Sequence, residues 1–170
     1  MISLLRMAAI AAVLLLNAPC IATESASVPD AKQTTLGLYL ASEEVPPFLA
    51  AKHGQSLFVD VRMPVELAST GVATMVDANV PTLTLSGADA QPQPNPDFVA
   101  GVEYQLAAKR LSKNDAVVLI CRTGKRSAHA ANLLAAAGFT HVYTVVDGFM
   151  GDGEAGSGGW RNKGLPWRNP

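Results

Sequence analysis

The sequence has little charge and no dominant sign. Charged residues make up 16% of the 170 residues, with 13 Lys and Arg against 14 Asp and Glu and a formal net charge of −1 at pH 7. A nucleic-acid binder that neutralises phosphates needs an excess of cations, so the composition excludes that class. Hydrophobic residues account for 49%, which excludes a highly charged disordered chain and predicts one folded domain.

Long hydrophobic runs are scarce, and the one present lies near the N-terminus. Residues 7–16 are uninterrupted apolar residues after Arg6, and Asn17 and Pro19 follow them. The run is shorter than the ~20 apolar residues of a membrane span, which favours a secretory signal peptide over residues 1–22, cleaved after Ala22. We therefore expect a periplasmic protein with no membrane attachment after cleavage. Cys20 lacks the flanking residues expected of a lipidated cysteine.

Cysteine is also scarce, with Cys20 and Cys121 the two in the chain. If Cys20 leaves with the signal peptide, Cys121 is a lone thiol in an oxidising compartment and no internal disulfide forms. Such a thiol is inert and buried, paired with a partner, or kept for chemistry, and its neighbours decide among these.

Apolar runs alternate with helical patterns along the rest of the chain. Residues 23–35 are small and polar and predict a flexible lead-in to a single domain over residues 36–170. The predicted strands cover residues 36–40, 57–61, 116–120 and 142–146, and the predicted helices cover 42–53, 98–111 and 127–137, with Ser42 as an N-cap. This alternation is typical of an α/β fold in which helices cover both faces of a parallel sheet.

One proline-rich segment interrupts the alternation. Pro92, Pro94 and Pro96 exclude a central strand or a helix interior, so residues 86–96 are predicted to form a surface loop. Asn95 is the expected N-cap of the next helix, with Pro96 as its first residue.

The residues suited to chemistry concentrate where the strand over residues 116–120 ends. Cys121 is followed by a short loop with Gly124 and then by the start of a helix. Such a loop directs backbone N–H groups inward, and the helix dipole adds positive potential, so both favour a thiolate. The nearby cations Arg122, Lys125 and Arg126 suit an anionic substrate. This setting favours a nucleophilic Cys121 over a buried inert one.

The same residues resemble the single-domain rhodanese family. The resemblance rests on the loop 121–127, which matches Cys-x-x-Gly-x-Arg-Ser, on the Asp-x-Arg strand end at Asp60 and Arg62 with Glu66 following, and on the closing segments Gly159-Trp160 and Gly164-Leu165-Pro166. It spans about residues 36–170. One departure lies at residues 71–77, where many members have Gly-His-Ile-Pro-Gly.

The resemblance implies a sulfurtransferase. Cys121 would take a sulfane sulfur from an anionic donor such as thiosulfate, hold it as a persulfide and yield it to a thiol, to cyanide or to a protein acceptor. The loop residues Arg122, Thr123, Gly124, Lys125, Arg126 and Ser127 would bind the substrate. Asp60 and Arg62 could support the pocket, but an ion pair or hydrogen bonds to neighbouring loop backbone explain these residues equally well, and this structural role is favoured.

Two alternatives remain open. Phosphatases of this fold also use a loop cysteine, but their arginine stands six positions after it, where this chain has Ser127. The other alternative is a non-catalytic module that carries persulfide or binds a partner in an exported redox pathway. No cofactor is implied, and the separated His53, His129 and His141 give no metal-ligand spacing.

Overall fold

A computed structural model describes residues 28–87, 89–152 and 158–170. Its strands are β1 (Tyr39–Leu40), β2 (Ser56–Asp60), β3 (Val72–Ala73), β4 (Ala78–Asn79), β5 (Leu83–Ser86), β6 (Gln91–Pro94), β7 (Ala116–Ile120), β8 (Val142–Val145) and β9 (Trp167–Arg168). Its α-helices are α1 (Val45–Ala51), α2 (Pro64–Thr70), α3 (Phe98–Ala108) and α4 (Lys125–Ala136). The predicted signal peptide over residues 1–22 lies outside the described residues.

A parallel sheet of five strands, in the order β1-β8-β7-β2-β4, forms the centre of the molecule. Strands β2 and β7 are buried along their whole length and pair from Ser56 opposite Ala116 to Asp60 opposite Ile120. Because both strands run in the same direction, Asp60 and Cys121 lie at the same edge of the sheet. The predicted parallel α/β fold is confirmed.

The two faces of the sheet carry separate hydrophobic cores. On one face, alternate residues of β2 and β7 pack against α3 and α4, and Cys121 belongs to this core. On the other face, Phe58, Val118 and Ile120 pack with α1, Phe149 and Trp160. The continuous apolar runs of β2 and β7 follow from this double coverage, because every side chain meets a core.

Most predicted elements exist with shifted ends. Helix α3 ends at Ala108 rather than at residue 111, because Arg110 takes a left-handed conformation (φ 58°) and Leu111 N–H bonds back to Leu106 O at 2.8 Å. The predicted helix over 42–53 divides into a 3-10 turn, Ser42–Glu44, and α1. Ser42 is not its N-cap, since the Ser42 N–H and hydroxyl both donate to Asp147.

The proline-rich segment is not a loop throughout. Strand β6 (Gln91–Pro94) pairs with β5 as an antiparallel hairpin outside the main sheet. Proline is tolerated there because β6 is an exposed edge strand whose Pro92 and Pro94 need donate no hydrogen bond. Asp97, rather than Asn95, is the N-cap of α3, and Pro96 precedes the helix. The Asn95 side chain instead accepts from Asp97 N–H and donates to Pro81 O.

Residues 28–35, predicted as part of a flexible lead-in, pack against α4 in the structure. A 3-10 turn over Asp30–Lys32 precedes Thr35, whose N–H donates to Asn132 Oδ1 at 2.8 Å. The Lys32 side chain is buried, whereas a flexible polar segment would leave it in solvent.

In the described residues, no helix has the length and apolar character that crossing a bilayer demands.

Candidate active site

Cys121 lies directly after β7, where the chain turns towards α4. The residue is 1% exposed and its sulfur carries no disulfide. Gly124 N–H donates to Cys121 Sγ at 3.2 Å, and the Ser127 hydroxyl lies 3.6 Å from the same sulfur. A backbone donor aimed at sulfur favours negative charge there, because it stabilises a thiolate more than a neutral thiol.

Gly124 gives the cysteine loop its shape. It is the N-cap of α4 and has a left-handed backbone (φ 96°, ψ −22°), which costs other residues free energy. A Cβ on Gly124 would lie 2.2 Å from Val146 O, so the position has no space for a side chain. Because Gly124 is the N-cap, helix α4 begins at Lys125, two residues earlier than predicted. Its first N–H groups have no partners within the helix.

A second segment holds the loop from behind. Phe149 N–H donates to Cys121 O at 2.8 Å, and Met150 N–H donates to Arg122 O at 2.9 Å. Gly148 makes this approach feasible, since a Cβ there would lie 2.6 Å from Arg122 O. These bonds occupy the carbonyls of Cys121 and Arg122 and tie the loop to the segment after β8.

The predicted cations of the loop fall into two groups. Arg122 and Lys125 are exposed, and their side chains make no ion pair within the described part of the chain. Thr123, which follows Arg122 in the loop, is half-buried. Arg122 and Lys125 are thus the cations of the loop that an anion from solution can meet.

Arg126 is already paired within the protein. Its two terminal nitrogens donate to the two carboxylate oxygens of Glu66 at 2.7 and 2.6 Å, which joins α4 to α2. The hydrogen bond with Arg126 lowers the pKa of Glu66 below its ordinary value, against the opposing effect of burial. The hydrogen bond with Glu66 raises the pKa of Arg126, against the opposing effect of burial.

Asp60 and Arg62 form a buried ion pair at the end of β2, where Asp60 pairs with Ile120, the residue before Cys121. Their side chains are 0% and 1% exposed, and Arg62 also donates to Thr70 Oγ1 and Gly71 O. The guanidinium of Arg62 lies 4.2 Å from the centre of the Phe149 ring. Phe149 contacts Arg62 through its ring and donates its N–H to Cys121 O, so Phe149 connects the ion pair to the cysteine loop.

The residues after β8 are the part of the site that sequence reasoning missed. Asp147 accepts from the Ser42 N–H and hydroxyl and from Gly159 N–H, and so fixes the segment that carries Gly148 and Phe149. A usable signal exists, because an Asp-Gly pair follows a predicted strand at the edge where Cys121 lies. No group of three metal-ligating side chains occurs among the residues that the structure describes.

The Glu66–Arg126 pair predicts a pH-dependent contribution to stability. Replacing Glu66 by Gln should lower the free energy of unfolding at neutral pH by about 1–2 kcal/mol, between the values for exposed and buried pairs. A lowered folded-state pKa means that this contribution is complete above the ordinary Glu value of 4.5 and is lost as pH falls through the lower folded-state value. Urea unfolding of wild type and E66Q between neutral and acid pH measures it.

The matched control is E103Q. Glu103 pairs with Lys113 while both side chains are more than 40% exposed, so its loss should change stability by less than about 0.5 kcal/mol. A wild-type advantage over E66Q that persists unchanged at low pH would contradict the argument.

Comparisons with known proteins agree with this geometry. The family of rhodanese-like domains matches residues 48–154. Rv0390 from M. tuberculosis is 29% identical with a TM-score of 0.61, covering 78% of this chain and 97% of that one. The polysulfide-sulfur transferase homodimer of Wolinella succinogenes is 23% identical with a TM-score of 0.50 and 83% of each chain covered, a likeness that shows the shared fold.

The matches to curated relatives cover only a part of this chain and a part of each relative. An uncharacterized protein of Rickettsia prowazekii is 40% identical over 53 residues, which make up 31% of this chain and 42% of that protein. The match therefore spans less than half of that relative. The family match is broader, since it covers more than half of the chain and contains β2, β7, the Cys121 loop and β8. On that match, the chain belongs to the rhodanese-like domain family.

Proposed function

We propose that the protein is a sulfurtransferase that carries sulfane sulfur on Cys121. The observation that supports this most directly is the hydrogen bond from Gly124 N–H to Cys121 Sγ at the N-terminus of α4. It gives the sulfur a fixed donor and a helix dipole, which both stabilise a thiolate and the negative charge of a persulfide.

The reaction has two displacement steps. In the first, the Cys121 thiolate attacks the outer sulfur of thiosulfate, the sulfur–sulfur bond of thiosulfate breaks, and sulfite leaves with the bonding electron pair. In the second, cyanide or a thiolate attacks the outer sulfur of the Cys121 persulfide, and the Cys121 thiolate leaves. The same loop donors serve both steps, since they stabilise the Cys121 thiolate that attacks in the first step and leaves in the second.

The charges of the site favour a small anionic donor. Arg122 and Lys125 stand exposed in the loop that carries the buried Cys121, so their positive charge attracts an anionic donor to the nucleophile. Arg126, with both terminal nitrogens on Glu66, is less suited to clamp a phosphoryl group. This pairing supports sulfur transfer over phosphate hydrolysis.

A three-part assay on the purified protein tests the proposal. Mass spectrometry after incubation with thiosulfate should show one added sulfur on the peptide that contains Cys121. Addition of cyanide should release thiocyanate repeatedly, whereas a persulfide-carrying module would release it once per protein. Aryl phosphate turnover without any persulfide would refute sulfur transfer and favour the phosphatase.

We further propose that the protein is exported to the periplasm. The apolar run over residues 7–16 supports this, and a mature N-terminus at Thr23, read by sequencing the protein from a periplasmic fraction, would verify it.

A further inference from the structure

Lys32 is a buried lysine that lies far along the sequence from the motifs of the active site. Its side chain is 6% exposed, although the residue lies in the small polar segment before the first strand. Burying an ammonium group is costly unless it is fully paired, so its partners indicate what it does.

The partners of Lys32 lie in the segment that follows β8. Its Nζ donates to Val146 O at 2.8 Å and pairs with the carboxylate of Asp152 at 2.9 Å. Lys32 thus joins the N-terminal turn to the two ends of the segment over residues 146–152, which also donates to the carbonyls of Cys121 and Arg122.

The same carbonyl of Val146 contacts Gly124. An added Cβ on Gly124 would meet Val146 O at 2.2 Å and the Cδ atom of Lys32 at 3.2 Å. Val146 O and the methylenes of Lys32 therefore form the wall against which Gly124 rests. Gly124, in turn, directs its N–H at Cys121 Sγ.

We propose that Lys32 is a positioning residue for the nucleophile. By holding Val146 O in place, it keeps Gly124 N–H aimed at Cys121 Sγ and so favours the thiolate. Since Asp152 offsets the charge of Lys32, the effect comes from orientation rather than from a free cation behind the loop. The inference rests on the proposed role of Cys121 as the nucleophile, but its test does not require sulfur transfer.

The test measures how fast iodoacetamide alkylates Cys121, read by mass spectrometry of the tryptic peptide over residues 114–122 so that Cys20 does not contribute. Rates are compared at about pH 6.5, where stabilisation of the thiolate matters, and at about pH 9.5, where most free thiols are ionised. The rate at the lower pH divided by the rate at the higher pH is the rate ratio. This ratio reports stabilisation of the thiolate, because a change in access to the loop alters both rates equally.

K32M retains the methylenes and removes the hydrogen bond, so the rate ratio should fall about fivefold, the effect of losing one hydrogen bond. K32R, which can still donate to Val146 O, should restore most of the ratio. K109M is the matched control, because Lys109 pairs with Asp77 on the surface and should leave the ratio unchanged. An unchanged ratio in folded K32M, or equal slowing at both pH values, would overturn the proposal.

D152A keeps the proposal testable if K32M does not fold. The Asp152 side chain is 52% exposed, so its truncation should be tolerated, while Lys32 loses one of its two partners. The expected fall is about twofold, a part of the effect of one hydrogen bond. A ratio that rises or stays equal to wild type would overturn the proposal, since it would mean that Lys32 acts through its charge or not at all.

Discussion

Replacing Cys121 by Ser should abolish sulfur transfer, with thiocyanate formation falling about a thousandfold or more, as expected when a covalent nucleophile is removed. The hydroxyl cannot hold a sulfane sulfur as a persulfide. The fold should remain, because a serine oxygen at this position still meets Gly124 N–H and the Ser127 hydroxyl. The change in the free energy of unfolding should stay within about 1 kcal/mol.

C20S is the matched control for C121S. Cys20 lies outside the described residues and outside the residues matched by the family, so its replacement should leave persulfide loading and turnover at wild-type values. The thiosulfate mass shift should then appear in C20S and be absent from C121S. Turnover that survives in C121S would show that Cys121 is not the sulfur carrier.

The sequence predicts the central strands of this fold well, because strands that are buried on both faces must consist almost entirely of apolar residues. Residues 57–61 and 116–120 are short apolar runs that suit strands buried on both faces, and they pair as β2 and β7. The order of strands follows less directly. Strand β4, only Ala78–Asn79, carries no apolar pattern of its own and is fixed mainly by hydrogen bonds to the end of β2.

Separation along the sequence decides which parts of the site can be predicted. The residues of the cysteine loop are close together in the chain, whereas the residues that support the loop are far apart. Cys121, Gly124 and Ser127 lie within seven residues, so spacing alone identifies them. Glu66 is 60 residues from Arg126, and Lys32 is 114 residues from Val146, so no local pattern signals either contact. A lone lysine in a polar segment resembles solvent-exposed chain until its burial is seen.

The proline-rich segment shows a limit of another kind. Proline excludes a central strand, and β6 is indeed no part of the main sheet. The same rule does not exclude a hairpin, since Asn95 N–H bonds to Thr82 O and the pairs continue at alternate residues, which places Pro92 and Pro94 at positions that need no N–H. The alternation of the prolines was itself the available signal for a strand.

The second large effect is expected at Gly124. Replacing it by Ala should lower the free energy of unfolding by about 2–4 kcal/mol, from the left-handed backbone and from forced displacement of a packed segment. The added Cβ would meet Val146 O at 2.2 Å, so either the loop or the segment after β8 must move. Because Gly124 N–H is the donor to Cys121 Sγ, sulfur transfer should fall about a hundredfold in protein that remains folded, comparable to losing an oxyanion donor.

G138A separates the two causes. Gly138 has a nearly equal φ of 89°, and no atom lies within 4 Å of its added Cβ. Its replacement by Ala should therefore cost only the backbone term, about 1 kcal/mol, and leave sulfur transfer unchanged. Urea unfolding and the thiocyanate assay on both variants measure these effects. Equal destabilisation of G124A and G138A, with full activity in both, would show that contact between Gly124 and Val146 O does not set the geometry of the nucleophile.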